Sequence, residues 1–436
     1  MPYSLQEWLD YQQKVHALGV DLGLARASEV WRRMGAPRPA ATVVTVAGTN
    51  GKGSTVALLE AIWTAAGYRV GAYTSPHLLR YNERVRVDGA DAADASLIAA
   101  FDQIEQARET IPLTYFEFGT LAALWLFAQA GLDVAVLEVG LGGRLDAVNI
   151  VDADAVAVTT IALDHQDWLG NDRDTIGREK AGVARRDRIA VVSEAHPPDG
   201  LLRALAEAGA RVHRAGVDFQ MTPAADGWHW TGGSSRYRIP PPALAAPCQP
   251  QNIAGAVALV DALQSRMPVL PDAIIKGVAA AQVAGRLQRV RVGDGELVID
   301  VAHNPQAAGV LAEWLAQEPS RPTMAVFSAL ADKDIAGIVR PLADRFVHWH
   351  LSGLDSVSDR GRTALTLANA VAARLPYAGI AVHATVEAAL DAVAPVLRDG
   401  ARVVAFGSFF VAADALRWAA RHSPAAGSDS RVKVQG

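Results

Sequence analysis

Short apolar runs alternate along this chain with longer stretches whose apolar residues recur at helical spacing. The runs at 42–47, 134–139 and 155–161 predict buried strands, with further strands at 189–193 and 211–213. An apolar helical pattern covers 56–65. Residues 116–142 are the most apolar stretch, but Glu117, Gln129, Asp133 and Glu138 interrupt it and Gly131 splits it. That pattern predicts a buried helix followed by a buried strand, not a membrane span. Residues 219–239 alternate polar and apolar around Asp226-Gly227 and Gly232-Gly233, which predicts small antiparallel hairpins. Pro240-Pro241-Pro242 then marks a loop, and 252–263 a helix. A second alternating unit begins near Arg291, with strands at 296–301, 323–327, 346–351 and 402–406. Ala284-Gly285-Arg286 reads as the hinge. The expected class is α/β, a mostly parallel P-loop-type domain followed by a smaller Rossmann-like domain. The expected boundaries are 1–285 and 286–422, with a polar, disordered tail over 423–436.

The first strand runs straight into Gly48-Thr49-Asn50-Gly51-Lys52-Gly53-Ser54-Thr55, and a helix pattern follows. Strand, glycine loop, lysine, hydroxyl and helix make a phosphate cradle. The glycines let backbone N–H groups converge on an anion, and the helix N-terminus adds partial positive charge. Lys52 supplies a mobile cation, and Ser54 or Thr55 a hydroxyl for Mg²⁺. A glycine between the lysine and the hydroxyl distinguishes this loop from the usual G-x-x-x-x-G-K-[ST] form. The ligand expected there is a nucleotide's outer phosphates.

Composition narrows the partners. At 436 residues, two domains are expected. Half the residues are hydrophobic and 20% charged, as in an ordinary globular enzyme. The net charge is −5 and no basic block occurs, so neither nucleic acid nor an anionic membrane is an expected partner. Phosphate binding must therefore arise from local loops. Cys248 is the lone cysteine, which excludes intramolecular disulfides and suits a reducing compartment, the cytoplasm. The first residues lack the basic and apolar regions of a signal peptide.

Two strand ends carry candidate chemistry. Glu138 ends an apolar strand, where a carboxylate can hold Mg²⁺ against a nucleotide's phosphates. The glycines after it permit close backbone approach to a ligand. His165 follows the next strand in the equivalent position. Lys180 reads by itself as a solvated lysine on a helix that Asp174 could cap, Arg84 as a surface arginine, and Phe116 as core. Asp300 and His303 flank a strand end beside the turn signal Asn304-Pro305.

The loop resembles that of the Mur ligase superfamily. Further segments narrow the resemblance to the dihydrofolate synthase/folylpolyglutamate synthase family. They are Ser75-Pro76-His77-Leu78, Asn82-Glu83-Arg84-Val85, the run from Glu138 to Asp146, Ala162-Leu163-Asp164-His165 and Gly177-Arg178-Glu179-Lys180-Ala181-Gly182. In the second half they are Asp300-Val301-Ala302-His303-Asn304-Pro305, Ala331-Asp332-Lys333-Asp334 and Phe406-Gly407-Ser408-Phe409. They occur in the family's order across nearly the whole chain.

The resemblance implies roles that spacing does not. It implies two Mg²⁺ sites, with Ser54 and Ser75 in the metal network and Glu138 and His165 sharing a second ion with a carbamylated Lys180. A monovalent cation is a further possible cofactor. Arg84, His303 and Ser408 are expected near the incoming L-glutamate, with His303 near the γ-phosphate as the other option. The nucleotide is expected to be ATP, with Arg286 and Asp300 on it and Asn252 near its adenine or ribose. Lys52, Lys180, Asp300 and His303 form the expected catalytic group. Asp21, Gly23 and Leu24 lie in a segment resembling members that take dihydropteroate as well as reduced folates. Phe116, Asp146 and Asn149 are expected beside the pterin. A monomeric enzyme is expected.

The implied reaction is carboxylate–amine ligation through an acyl phosphate, with domain closure excluding water. A folate-extending ligase alone is the narrower alternative. A peptidoglycan ligase of the same superfamily is disfavoured, because only about 40 residues precede the loop, too few for a separate substrate domain. A nucleotide-dependent switch would need no Glu138, His165 and Lys180 together.

Overall fold

The computed structural model describes residues 2–243 and 246–423. The expected tail lies, from residue 424 on, outside the described residues. Two compact units are present among the described residues, one built from residues up to 243 with 248–283, the other from 246–247 and 284 onward.

The first unit holds a sheet of β1 (Ala40–Ala47), β2 (Val70–Tyr73), β3 (Val85–Val87), β4 (Ala90–Asp91), β5 (Leu132–Glu138), β6 (Ala155–Val158), β7 (Ile189–Val192) and β8 (Arg211–Arg214). Their order is β4-β3-β2-β5-β1-β6-β7-β8. The β2–β3 and β3–β4 pairs are antiparallel and the others parallel. β1 is apolar at nearly every position because both its faces are covered. Val43 and Ala47 enter one core, with Phe118, Leu121 and Phe101; Val44 and Val46 enter the other, with Leu59, Trp63 and Val257. β9 (Phe219–Ala224), β10 (Gly227–Gly232) and β11 (Ser235–Ile239) form the expected antiparallel sheet. Trp230 anchors it, donating from Nε1 to the Ala254 carbonyl at 3.0 Å.

β1 lies between β5 and β6, with Val46 opposite Glu138 and Ala47 opposite Val158. The loops leaving the C-terminal ends of these three strands therefore gather at one point, the usual ligand crevice of such sheets.

The second unit is a six-stranded sheet of β12 (Gln288–Val292), β13 (Gly295–Ile299), β14 (Thr323–Phe327), β15 (His348–Ser352), β16 (Gly379–His383) and β17 (Arg402–Phe406). Its order is β12-β13-β17-β14-β15-β16, parallel except for β12 on β13. β13 and β17 are neighbours, so Asp300 and Ser408 follow adjacent strand ends.

The helix carrying Lys180, Arg173–Ala181, is capped by Asp172, whose carboxylate accepts from Thr175 N at 2.7 Å. The expected Asp174 cap is thereby corrected: Asp174 already sits inside the first turn, and its carboxylate accepts instead from Gly200 N.

Candidate active site

In the first unit the glycine loop turns through left-handed backbone at Gly48 (φ 147°) and Gly51 (φ 90°). A side chain at Gly48 would collide with Thr159 Oγ1. Gly51 precedes the helix Lys52–Ala65. The loop is laced to the chain after β6: Thr49 N donates to the Thr160 carbonyl at 2.7 Å, and Thr159 Oγ1 donates to the Asn50 carbonyl at 2.7 Å. Thr49 Oγ1 also accepts from Ala162 N at 3.1 Å. This lacing fixes the start of the loop that carries Asp164 and His165. His165 is half-buried, has φ 52°, and begins the short helix Gln166–Leu169.

Lys52 Nζ donates to the carbonyls of Gly48 and Thr49, each at 3.1 Å. Lys180 Nζ donates to the same Gly48 carbonyl at 3.0 Å. Lys180 is buried, 4% exposed, so its reading as a solvated helix lysine is overturned. Burial, then the nearby Lys52 charge, lowers its pKa to about 7, while Asp164 and Asp146 oppose the shift. Glu138 is buried beside the loop; a Cβ on Gly53 would lie 3.7 Å from its Oε2, which accepts from Ser75 N at 3.2 Å. Ser54 Oγ accepts from Gln249 Nε2 at 3.3 Å, and Gln249 Oε1 accepts from Asn252 Nδ2 at 3.1 Å. Asn252 packs directly against Gly51.

Asp146 is buried, and burial pushes its carboxyl up to about 6 against the pull of the Leu141 and Val148 N–H groups it accepts from. The Phe116 ring lies over Gly140, where any Cβ would meet it, and 6.1 Å from the Tyr73 ring. Asn149 is buried and fully engaged. Its amide donates to the carbonyls of Arg144 and Gly182 and accepts from Arg185 at 2.9 Å, tying the Glu138–Asp146 loop to the end of the lysine helix. Asp21 pairs with Arg26 at 2.6 Å and His16 at 3.3 Å, and Arg26 also reaches Glu117 at 3.2 Å. The Asp21–Leu24 segment is thus pinned to the helix Tyr115–Ala130 that carries Phe116. Arg84 is 8% exposed, and its Nε donates to His77 Nδ1 at 2.9 Å.

In the second unit, Asp300 accepts from Leu287 N at 2.8 Å and Ala302 N at 2.7 Å. Burial raises its carboxyl above the ordinary range, opposed by the Arg286 charge. The Arg286 guanidinium sits 5.5 Å from the Phe409 ring centroid, and the His303 ring 5.9 Å from the same ring. Ser408 caps the helix Phe409–His422, accepting from Phe410 N at 3.1 Å. Arg286, Asp300 and His303 thus surround one strand end, with Ser408 just before the ring that both Arg286 and His303 approach.

Residues 285–409 match the model of the Mur ligase family's glutamate ligase domain. The dihydrofolate synthase/folylpolyglutamate synthase of Escherichia coli (strain K12) is 46% identical over 362 residues, covering 83% of this chain and 84% of that protein. That of Haemophilus influenzae is 36% identical over 432 residues, covering 94% and 96%. This chain belongs to the dihydrofolate synthase/folylpolyglutamate synthase family. Among solved members, E. coli FolC in complex with DHPP and ADP superposes with a TM-score of 0.90 at 42% identity, covering 97% of this chain and 100% of that one. A bifunctional member with Mn, AMPPNP and L-glutamate bound gives 0.86 at 44%, covering 95% and 97%.

Among the described residues no group of three or more His, Cys, Asp or Glu side chains is arranged to hold a metal ion. The donor types nevertheless fit Mg²⁺: the buried Glu138 carboxylate and the Ser54 hydroxyl lie at the glycine loop and are oxygen donors of the kind a hard cation takes. Of these two solved members, one was bound to ADP and the other to AMPPNP together with Mn. Gln249 and His77 were missed in the sequence. Gln249 lies 195 residues from the Ser54 it touches, and no local pattern announces either contact.

Proposed function

We propose that this chain is an ATP-dependent ligase joining L-glutamate to dihydropteroate and to mono- or polyglutamylated reduced folates. The observation that carries this is the convergence of Lys52, Lys180 and Glu138 on the loop Gly48–Thr55 at the ends of β1 and β5.

The acceptor's carboxylate oxygen attacks the γ-phosphorus of ATP, the bond to the β-bridging oxygen breaks, and ADP leaves. Lys52 and the loop N–H groups stabilise charge spread over the transferring phosphoryl group. The glutamate amine then attacks the acyl carbon, phosphate departs, and the nitrogen loses a proton to give the amide. Bound Mg²⁺ would neutralise phosphate charge; Ser54, Ser75, Glu138, His165 and Lys180 are the residues that would hold it. For Lys180 we infer a carbamate. Its neutral nitrogen adds CO₂ and releases a proton, turning a neutral amine into an anionic oxygen donor. Asp300, Arg286 and Asn252 bind nucleotide, and His303, Ser408 and Arg84 glutamate. Phe116, Asp146 and the Asp21–Leu24 segment take the pterin. The lone Cys248 fits a cytoplasmic setting.

Lys52→Ala tests the phosphate loop. It removes a cation from the transferring group, with an expected loss on the order of several kcal/mol of transition-state stabilisation and an unchanged melting temperature. Wild-type turnover in this variant would contradict the assignment.

A further inference from the structure

Arg84 is a buried guanidinium without a carboxylate partner among the described residues. The adjacent carboxylate is committed elsewhere: Glu83 accepts from Leu78 N at 2.8 Å, Leu79 N at 2.8 Å and Arg80 N at 2.7 Å. The ring centroids of Tyr81 and Tyr115 lie 5.2 and 5.5 Å from Arg84 Cζ. These rings pack against the guanidinium and lower the dielectric around its charge. Among the described residues, only the guanidinium's Nε is engaged, by His77 Nδ1 at 2.9 Å. Each ring nitrogen of a neutral imidazole is either a donor or an acceptor. Accepting at Nδ1 therefore places the His77 proton on Nε2. What remains is the edge carrying the two terminal nitrogens, the edge that matches a carboxylate's two oxygens.

We propose that His77 is a positioning residue for substrate binding: by accepting from Arg84 Nε it holds the guanidinium with both terminal nitrogens turned toward one carboxylate of the incoming glutamate. This rests on the reading of Arg84 as a glutamate-binding residue. Without the imidazole, Nε would seek another acceptor and the fork would rotate. The carboxylate would then meet a single N–H or none. A leucine at position 77 fills similar space but accepts nothing. An asparagine can present its carbonyl oxygen near the place of Nδ1, because both atoms stand at the same bond count from Cα.

The test is steady-state kinetics of the full-length enzyme with each substrate varied in turn, on His77→Leu, His77→Asn and Arg84→Lys, with melting temperature followed for each. His77→Leu is expected to raise the glutamate KM roughly tenfold or more with kcat at saturation within about twofold, the pattern of lost uniform binding. His77→Asn is expected to bring the glutamate KM back to within roughly threefold of wild type. Neither variant should move the ATP KM. Arg84→Lys keeps the charge and loses the fork, so it should raise the glutamate KM as well. An unchanged glutamate KM in Arg84→Lys would overturn the reading of Arg84 itself. A raised KM in Arg84→Lys with an unchanged KM in His77→Leu would overturn the role of His77 alone. Equal losses in His77→Leu and His77→Asn, tracking a fall in melting temperature, would reduce His77 to a packing residue and overturn the proposal. A shift in the acceptor's KM instead of glutamate's would do the same.

Discussion

Two lysines donate to one carbonyl, that of Gly48, and their unequal surroundings divide their chemistry. Lys52 is only partly buried at the mouth of the loop, whereas Lys180 is sealed beneath it. An ammonium sealed next to another ammonium is disfavoured, so the Lys180 pKa falls from 10.5 to about 7. The sign follows directly. Above about pH 7 the Lys180 amine is mostly neutral and nucleophilic; below it the amine is protonated and unreactive toward CO₂. In CO₂-depleted buffer activity is therefore expected to be low, and added bicarbonate should restore it above about pH 7 but progressively less as pH drops below 7. Lys180→Ala is expected to be inactive, with partial rescue by acetate or formate, whose carboxylates can stand in for the carbamate. Full activity of Lys180→Ala without any added carboxylate would refute the carbamate.

Elements place these groups by close approach as much as by side-chain bonds. A Cβ on Gly143 would come 2.9 Å from the Glu179 carbonyl and 3.1 Å from Lys180 Cα, so the loop after β5 touches the lysine helix backbone to backbone. In the second unit β16 is the outer strand, held to β15 partly by His350 Nδ1 and His383 Nε2 at 3.0 Å, with the His348 ring 4.9 Å from that of His350. Burial, then the two neighbouring imidazoles, lowers the His350 pKa to about 4. The unfolded chain, with its histidine near 6.5, then binds the proton first on acidification. Stability from this group is present above about pH 6.5 and is lost as pH falls toward 4. Comparing melting temperatures across that range, His350→Gln should show a shallower acid decline than wild type, and identical slopes would count against the argument. Legibility in sequence followed burial on both faces. The runs at 134–137 and 155–158 were readable because central strands are apolar throughout. β2, with Val-Gly-Ala-Tyr, and the outer strand β16 were missed because four or five mixed residues carry no period. The helix after the phosphate loop was expected from Val56, but it starts at Lys52, since its first turn is built of loop residues rather than core. The linear motifs of the site were legible, but the contacts joining distant segments, Gln249 to Ser54 and Arg26 to Glu117, were not.

At the scale of the whole molecule, one unit presents the glycine loop with Lys52, Lys180 and Glu138, and the other presents Arg286, Asp300 and His303 at the end of β13, with Ser408 after the end of the adjacent β17. No helix among the described residues is long and apolar enough to cross a membrane. The Asp21–Arg26–Glu117 ion pairs hold the segment resembling dihydropteroate-using members against the helix that carries Phe116. Both dihydropteroate and a reduced monoglutamyl folate are therefore expected to be acceptors, and a protein that extends the folate but gives no product from dihydropteroate would lose that half of the account. The central claim, activation of a carboxylate by ATP before glutamate attacks, is tested most directly by following oxygen. Dihydropteroate labelled with ¹⁸O in its carboxylate would be incubated with ATP and L-glutamate, and the products read by mass spectrometry. The expected result is dihydrofolate with one equivalent of ADP, and inorganic phosphate carrying a single ¹⁸O from the acceptor. Unlabelled phosphate alongside dihydrofolate, or ADP formed at the same rate without acceptor or glutamate, would contradict it.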